Sequence, residues 1–145
     1  MDQERGVPPA RLQRLPSWLL SQAAVRSHRL LTEALAAVGS RGYEYRLLAA
    51  LDEQGPSSQA VLGRSVGMDR RDVTMSLADL VGHGAVRRAP DPSDSRRNLV
   101  TLTATGHKRL EDLDQVMDGV QDQLLAPLPP TDRKRLTALL ARLQP

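Results

Sequence analysis

Residues 55–106 read GPSSQAVLGRSVGMDRRDVTMSLADLVGHGAVRRAPDPSDSRRNLVTLTATG, and their punctuation decides the fold. Gly55 and Pro56 end the helical stretch before them, because proline cannot continue a helix and glycine accepts its closing turn. Ser57 and Ser58 then offer capping oxygens to a helix over QAVLGRSV, with Val61, Leu62 and Val66 on its buried side and Gly67 at its end. A second helix follows at once. Asp69 is its N-cap, Val73, Leu77, Leu80 and Val81 recur at spacings of three and four, and Gly82 and Gly84 stop it. Two short helices joined by a tight glycine turn outline a helix-turn-helix.

Beyond this pair the period changes. Ala85 to Ala89 and Asn98 to Leu102 are short extended segments, with Val100 and Leu102 on one face and Thr101 on the other, so they should pair as a hairpin. Between them PDPSDSRR carries two prolines, two aspartates and two arginines, which forbid a helix and predict a stiff polar tip, a wing.

Outward from this core the pattern is helical. Ser17 can cap a long first helix in which Leu20, Ala24, Leu31, Leu35 and Val38 recur, and YEYRLLAALDEQ forms a compact second one. From Thr105 onward Leu110, Leu113, Met117, Val120 and Leu124 follow a near-heptad stripe, opposite Glu111, Asp112, Asp114, Asp118 and Asp122. Pro127, Pro129 and Pro130 break that helix. Thr131 can cap a last one striped by Leu136, Leu139, Leu140 and Leu143.

Composition agrees. Apolar residues make up 40% of the 145-residue chain, yet aromatic residues are only 2% and phenylalanine is absent, so leucine, valine and alanine must fill the interior. That favours helices over sheets. The absence of cysteine excludes a disulfide framework, a thiolate metal site, a cysteine nucleophile and a thiol switch. The opening MDQERGVPPARLQRLP has charge and proline where a signal peptide needs an apolar core, and no apolar run approaches a membrane span. A cytoplasmic protein with no membrane partner is expected, of a length that suits one domain. The net charge is only +3, but the cations are nearly all arginine, whose planar fork suits phosphates and guanine edges. Composition alone leaves a merely solvated surface as the alternative.

The order of elements and the residues of 55–106 together resemble the MarR (multiple antibiotic resistance regulator) family of bacterial repressors. The resemblance is carried by the glycine-proline turn, the serines, glutamine and leucine of the helix after it, and the wing signature Asp94-Ser95-Arg96 followed by Leu102, Thr103 and Gly106. It implies a mainly α fold with a small β-hairpin: one domain over 1–145, with a winged helix-turn-helix lobe at about 43–103 and dimerisation helices at about 16–38 and 105–143. It further implies a sequence-specific, ligand-responsive repressor that binds double-stranded DNA at a palindromic operator as a homodimer, without a cofactor or metal.

Site residues follow from placing the second helix of the pair in the major groove. Arg70, Arg71 and Thr74 would meet the DNA there, the arginines at base edges and Thr74 at a thymine methyl or a phosphate, although either arginine could instead form a surface ion pair with Asp69 or Asp72. Many members of the family carry arginine where this chain has Met75, so only apolar contact is expected there. Ser57, Ser58 and Gln59 match the family's phosphate-contacting positions, with plain N-capping the other role open to the serines. In the wing, Arg96 matches the family arginine that enters the minor groove, with Asp94 holding it in place and Arg97 on a phosphate. Arg87 and Arg88 are phosphate contacts or solvated.

Leu20, Leu113, Met117, Leu136, Leu139, Leu140 and Leu143 would build the dimer, unless their stripes pack within one chain. Trp18, His28, Tyr43 and Tyr45 are the candidates for an effector pocket, with core packing as the other reading of the aromatics. An enzyme is not expected. His28, His83 and His107 lie far apart in sequence without carboxylates at ligand spacing, and no phosphate loop or nucleophile elbow occurs. A winged module that binds protein instead of DNA is opposed by the presence of Arg70, Arg71 and Arg96.

Overall fold

Pro16 sets where the first long helix begins. Its fixed φ and missing N–H suit the first helical position, so the computed structural model, which describes residues 6–145, starts α2 there, and Ser17 lies inside the helix. The expected Ser17 cap is therefore not formed. Pro130 does the same to the last helix: it occupies the first turn, Pro129 stands at the cap, and Thr131 does not cap. A short helix α1 (Ala10–Gln13), absent from the sequence reading, precedes α2 (Pro16–Ala37), and α3 spans Glu44–Gln54.

The helix-turn-helix is α4 (Gln59–Val66) and α5 (Arg70–Gly82). Gly67 joins them at φ 67°, a left-handed conformation that a side chain would strain. Asp69 caps α5 as expected, its Oδ1 accepting from the Asp72 amide at 2.8 Å. Only Ser58 of the two serines caps α4, accepting from the Val61 amide at 3.3 Å. Ser57 is buried, and its hydroxyl donates to the Gly55 carbonyl. The reason is a strand that local pattern could not show: β1 (Ser57–Ser58) pairs antiparallel with β3 (Asp94–Leu102), Ser57 opposite Val100. Val61 and Val81 are exposed rather than buried.

The hairpin is β2 (Val86–Asp91) against β3, giving a sheet of order β1-β3-β2. It is longer than expected. Strand pairing runs from Val86–Leu102 to Asp91–Asp94, leaving a tip of only Pro92 and Ser93, so Arg96 and Arg97 lie in a strand rather than in the tip. Pro90 is tolerated because β2 is an edge strand and its register shifts between Pro90 and Asp91.

Thr103 caps α6 (Ala104–Leu124), which starts one residue before the expected Thr105; the Thr103 hydroxyl accepts from the Gly106 amide at 3.0 Å and reaches the Gly84 and Ala85 carbonyls. Gly106 allows this close seat, since a Cβ there would stand 2.0 Å from the Ala85 oxygen. Leu35, Leu47, Leu48, Leu51, Leu62, Val73, Leu77, Leu80, Val86, Val100, Leu110 and Leu113 share one core. Leu113 is thus fully buried within the single chain, which removes it from the expected dimer face, and Met117 packs half-buried against the same core. Three polar links tie α3 to α6: Glu44–Arg109 (3.7 Å), Tyr45–Asp114 (2.7 Å) and Asp52–His107 (3.2 Å). By contrast α7 (Pro130–Arg142) buries no residue, and α2 buries only Leu35.

Candidate nucleic-acid interface

The core exposes one face of α4, α5 and the wing together. Between them runs a cleft of about 930 Å³ with Arg64, Arg70, Arg88 and Arg97 on its walls, along with Ser58, Gln59, Thr74 and Asn98. No carboxylate among the described residues lines it. Four guanidiniums around one groove make a positive concavity whose low-dielectric walls concentrate the field, a shape and charge suited to a polyanion.

The capped start of α5 points its first residues outward. Arg70 and Arg71 are exposed, and among the described residues neither forms an ion pair. Asp69 is engaged as the cap instead. Thr74 donates its hydroxyl proton to the Arg70 carbonyl at 2.8 Å and accepts from Gln59 Nε2 at 2.5 Å, so α4 and α5 are joined side chain to side chain. Met75 is 55% exposed. Ser58 and Gln59 open onto the cleft, whereas buried Ser57 does not reach its surface.

In the wing, Asp94 Oδ1 accepts from both the Arg96 amide (3.1 Å) and its Nε (3.3 Å), and the second oxygen lies 3.8 Å from Arg97 Nε. The expected hold of Asp94 on Arg96 is formed. The turn is drawn tight by Asp91, which accepts from the Ser93 amide and hydroxyl, and these bonds hold its carboxyl below the usual carboxylate range. Arg64 and Asn98, not singled out from the sequence, join the cleft because α4 turns its solvent face toward β3. The sequence held one signal for Arg64, a lone cation in the short capped helix QAVLGRSV.

Residues 40–97 match the MarR family profile. The chain belongs to the MarR family. It is similar over 109 residues, at 31% identity, to the uncharacterized HTH-type transcriptional regulator YdgJ of Bacillus subtilis (strain 168), an alignment that spans 75% of this chain and 66% of that protein, just under two thirds of its length. A probable transcriptional regulator from Pseudomonas aeruginosa, known from a crystal structure, is 34% identical with a TM-score of 0.82, over 92% of this chain and 100% of that one. A mutant MarR from E. coli complexed with operator DNA shares the fold, with a TM-score of 0.78 at 24% identity over 95% of this chain and 100% of that one. This MarR-family protein is accordingly a transcriptional regulator of winged helix-turn-helix fold, from a family of regulators and not of enzymes.

Other candidate positions are dispersed. Trp18 is half-buried on α2 and His28 is exposed there; Tyr43 is 44% exposed with the Arg46 guanidinium 5.7 Å from its ring centre. Tyr45 donates to Asp114, and that bond, with partial burial and nearby carboxylates, pushes its pKa up to about 12. None of the four lines the arginine cleft or a second, polar cleft of about 290 Å³ bounded by Arg41, Glu44, Ser76, Asp79 and His83. Leu20, Leu139 and Leu143 are exposed, and Leu136 and Leu140 are half-buried. Among the described residues no helix is long and apolar enough to cross a membrane.

Proposed function

We propose that this MarR-family regulator is a cytoplasmic repressor that binds a palindromic operator as a homodimer, reading the major groove with α5 and the minor groove with the wing. The arginine cleft, which no carboxylate among the described residues lines, carries the reading. Arg70 and Arg71 face base edges, Thr74 and Met75 make apolar contact, Ser58 lies near the phosphates, and Arg96, steadied by Asp94, enters the narrow groove while Arg97 meets a phosphate.

One domain spans the chain in this reading, with the lobe at about 43–103 between dimerisation helices at about 16–38 and 105–143. Support for the dimer comes from apolar groups that the single chain leaves uncovered: Leu15, Leu19, Leu20 and Val25 on and before α2, and Leu139 and Leu143 toward the end of the chain. Twofold symmetry then sets the half-sites about 34 Å apart, one turn of B-DNA. A small-molecule effector would act between the flanking helices and the lobe.

Binding of operator-bearing genomic fragments, followed by fluorescence anisotropy across a salt series, tests the reading. Affinity should fall linearly on a log–log plot with a slope of roughly −0.9 per phosphate neutralised. Salt-insensitive retention, or none at all, would refute DNA binding.

A further inference from the structure

The hydroxyl of Thr74 is already engaged by the protein. A threonine hydroxyl has one proton to donate, and here it goes to the Arg70 carbonyl, 2.8 Å away and one turn earlier in α5. One lone pair accepts from the Gln59 amide of α4. These two bonds fix the side-chain rotamer, because turning the hydroxyl toward a ligand would break both. The residue is nevertheless exposed and lines the arginine cleft beside Arg70. With no proton left to donate, what it can offer a base edge is the methyl group on the same carbon, beside one remaining acceptor lone pair. The neighbouring side chain along α5, Met75, is 55% exposed and equally unable to donate.

We infer that Thr74 is a specificity-determining residue that reads the C5-methyl of a thymine through its own methyl group, with Gln59 acting as the positioning residue that keeps the hydroxyl turned away. Among the major-groove base edges only thymine carries a methyl, so an apolar group set against it selects thymine without a hydrogen bond. Gln59 thus works inside the protein rather than on a phosphate. The inference rests on the reading of α5 as the major-groove helix, and its test separates the two.

The operator is first selected from random duplexes, and each thymine in a half-site is then replaced by deoxyuracil, which removes only the methyl. Binding is measured by anisotropy for the wild-type chain, Thr74→Ser and Thr74→Val. At one thymine per half-site the replacement should weaken wild-type binding about four-fold, the worth of one buried methyl, and about fifteen-fold when made in both half-sites. Thr74→Val keeps a methyl and should keep the penalty; Thr74→Ser keeps the hydroxyl with its two bonds and should lose it. A penalty that persists in Thr74→Ser, or one lost in Thr74→Val, overturns the inference. So does a wild-type protein indifferent to every deoxyuracil while its binding stays sequence-selective and salt-sensitive, and in that case the DNA-binding reading stands. Loss of salt-sensitive binding altogether removes the DNA-binding reading itself.

Discussion

Replacing Asp94 with alanine sets two effects of opposite sign against each other. Removing a negative charge from a surface that meets DNA relieves repulsion. For a phosphate as near as about 8 Å, that repulsion is roughly 0.5 kcal/mol in water and roughly 0.2 kcal/mol after screening at physiological salt. The other effect is the loss of the hold on Arg96, whose side chain is 91% exposed and has no other ion-pair partner among the described residues. Asp94 gives it a bond to Nε at 3.3 Å and one to the amide at 3.1 Å. An exposed pair of this kind contributes about 0.2–1 kcal/mol, and a freed guanidinium must be re-ordered each time it enters a groove. With one wing on each half-site, the second effect wins by about 1 kcal/mol. Asp94→Ala should therefore bind the selected operator about five-fold more weakly at physiological salt, although it makes the protein more positive. Anisotropy titrations against the wild type, at matched salt, measure this. Equal or tighter binding by the alanine variant would show that Asp94 does not position Arg96.

Three further outcomes follow from contacts elsewhere. Tyr45 is held protonated up to a pKa of about 12, above its ordinary value of 10, so the stability it gives is complete below pH 10 and lost as the pH rises from 10 to 12; Tyr45→Phe should lower stability by about 1 kcal/mol at pH 7 and flatten that alkaline decline in urea titrations. Gly106→Ala drives a Cβ against the Ala85 carbonyl, so α6 must lift from the start of β2, and a loss of about 3 kcal/mol with a fall in Tm of roughly 6–12 °C is expected by calorimetry. An unchanged Tm would contradict that close seat. Leu139→Asp combined with Leu143→Asp changes two exposed residues and should leave a folded monomer of 15.9 kDa in sedimentation, with weakened operator binding; a persistent dimer would move the interface elsewhere.

Local chemistry made much of the architecture legible. Asp69 before a run of i, i+3 and i+4 apolar residues, and Gly67 before it, fixed the helix-turn-helix because a cap and a left-handed turn act within a few residues. What escaped depends on contacts distant in sequence. Ser57 reads as a cap until Val100, forty-three positions on, pairs with it as a strand. Leu113 and Leu139 sit on similar leucine stripes, yet α6 turns Leu113 into the core while α7 leaves Leu139 in solvent, a difference set by packing and not by period. The two caps misplaced at Ser17 and Thr131 share one cause: proline at the first helical turn supplies the start that a side-chain oxygen would otherwise provide.

The same balance of charge is used in two ways along the chain. In the reading head the aspartates bond to the backbone or to a neighbour: Asp69 caps α5, Asp91 closes the wing turn and Asp94 holds Arg96. Arg64, Arg70 and Arg88 on the cleft are left without ion pairs among the described residues, their charge available to a partner. In α6 and α7 the charges answer one another instead, Lys108 with Asp112, His107 with Glu111, Arg133 with Asp122, while Arg109 and Asp114 are committed to α3. A formal charge of only +3 is therefore a poor guide to how this surface meets DNA. What matters is that backbone amides engage Asp69, Asp91 and Asp94, which a net count records as neutralisation although Arg64, Arg70 and Arg88 form no ion pair among the described residues.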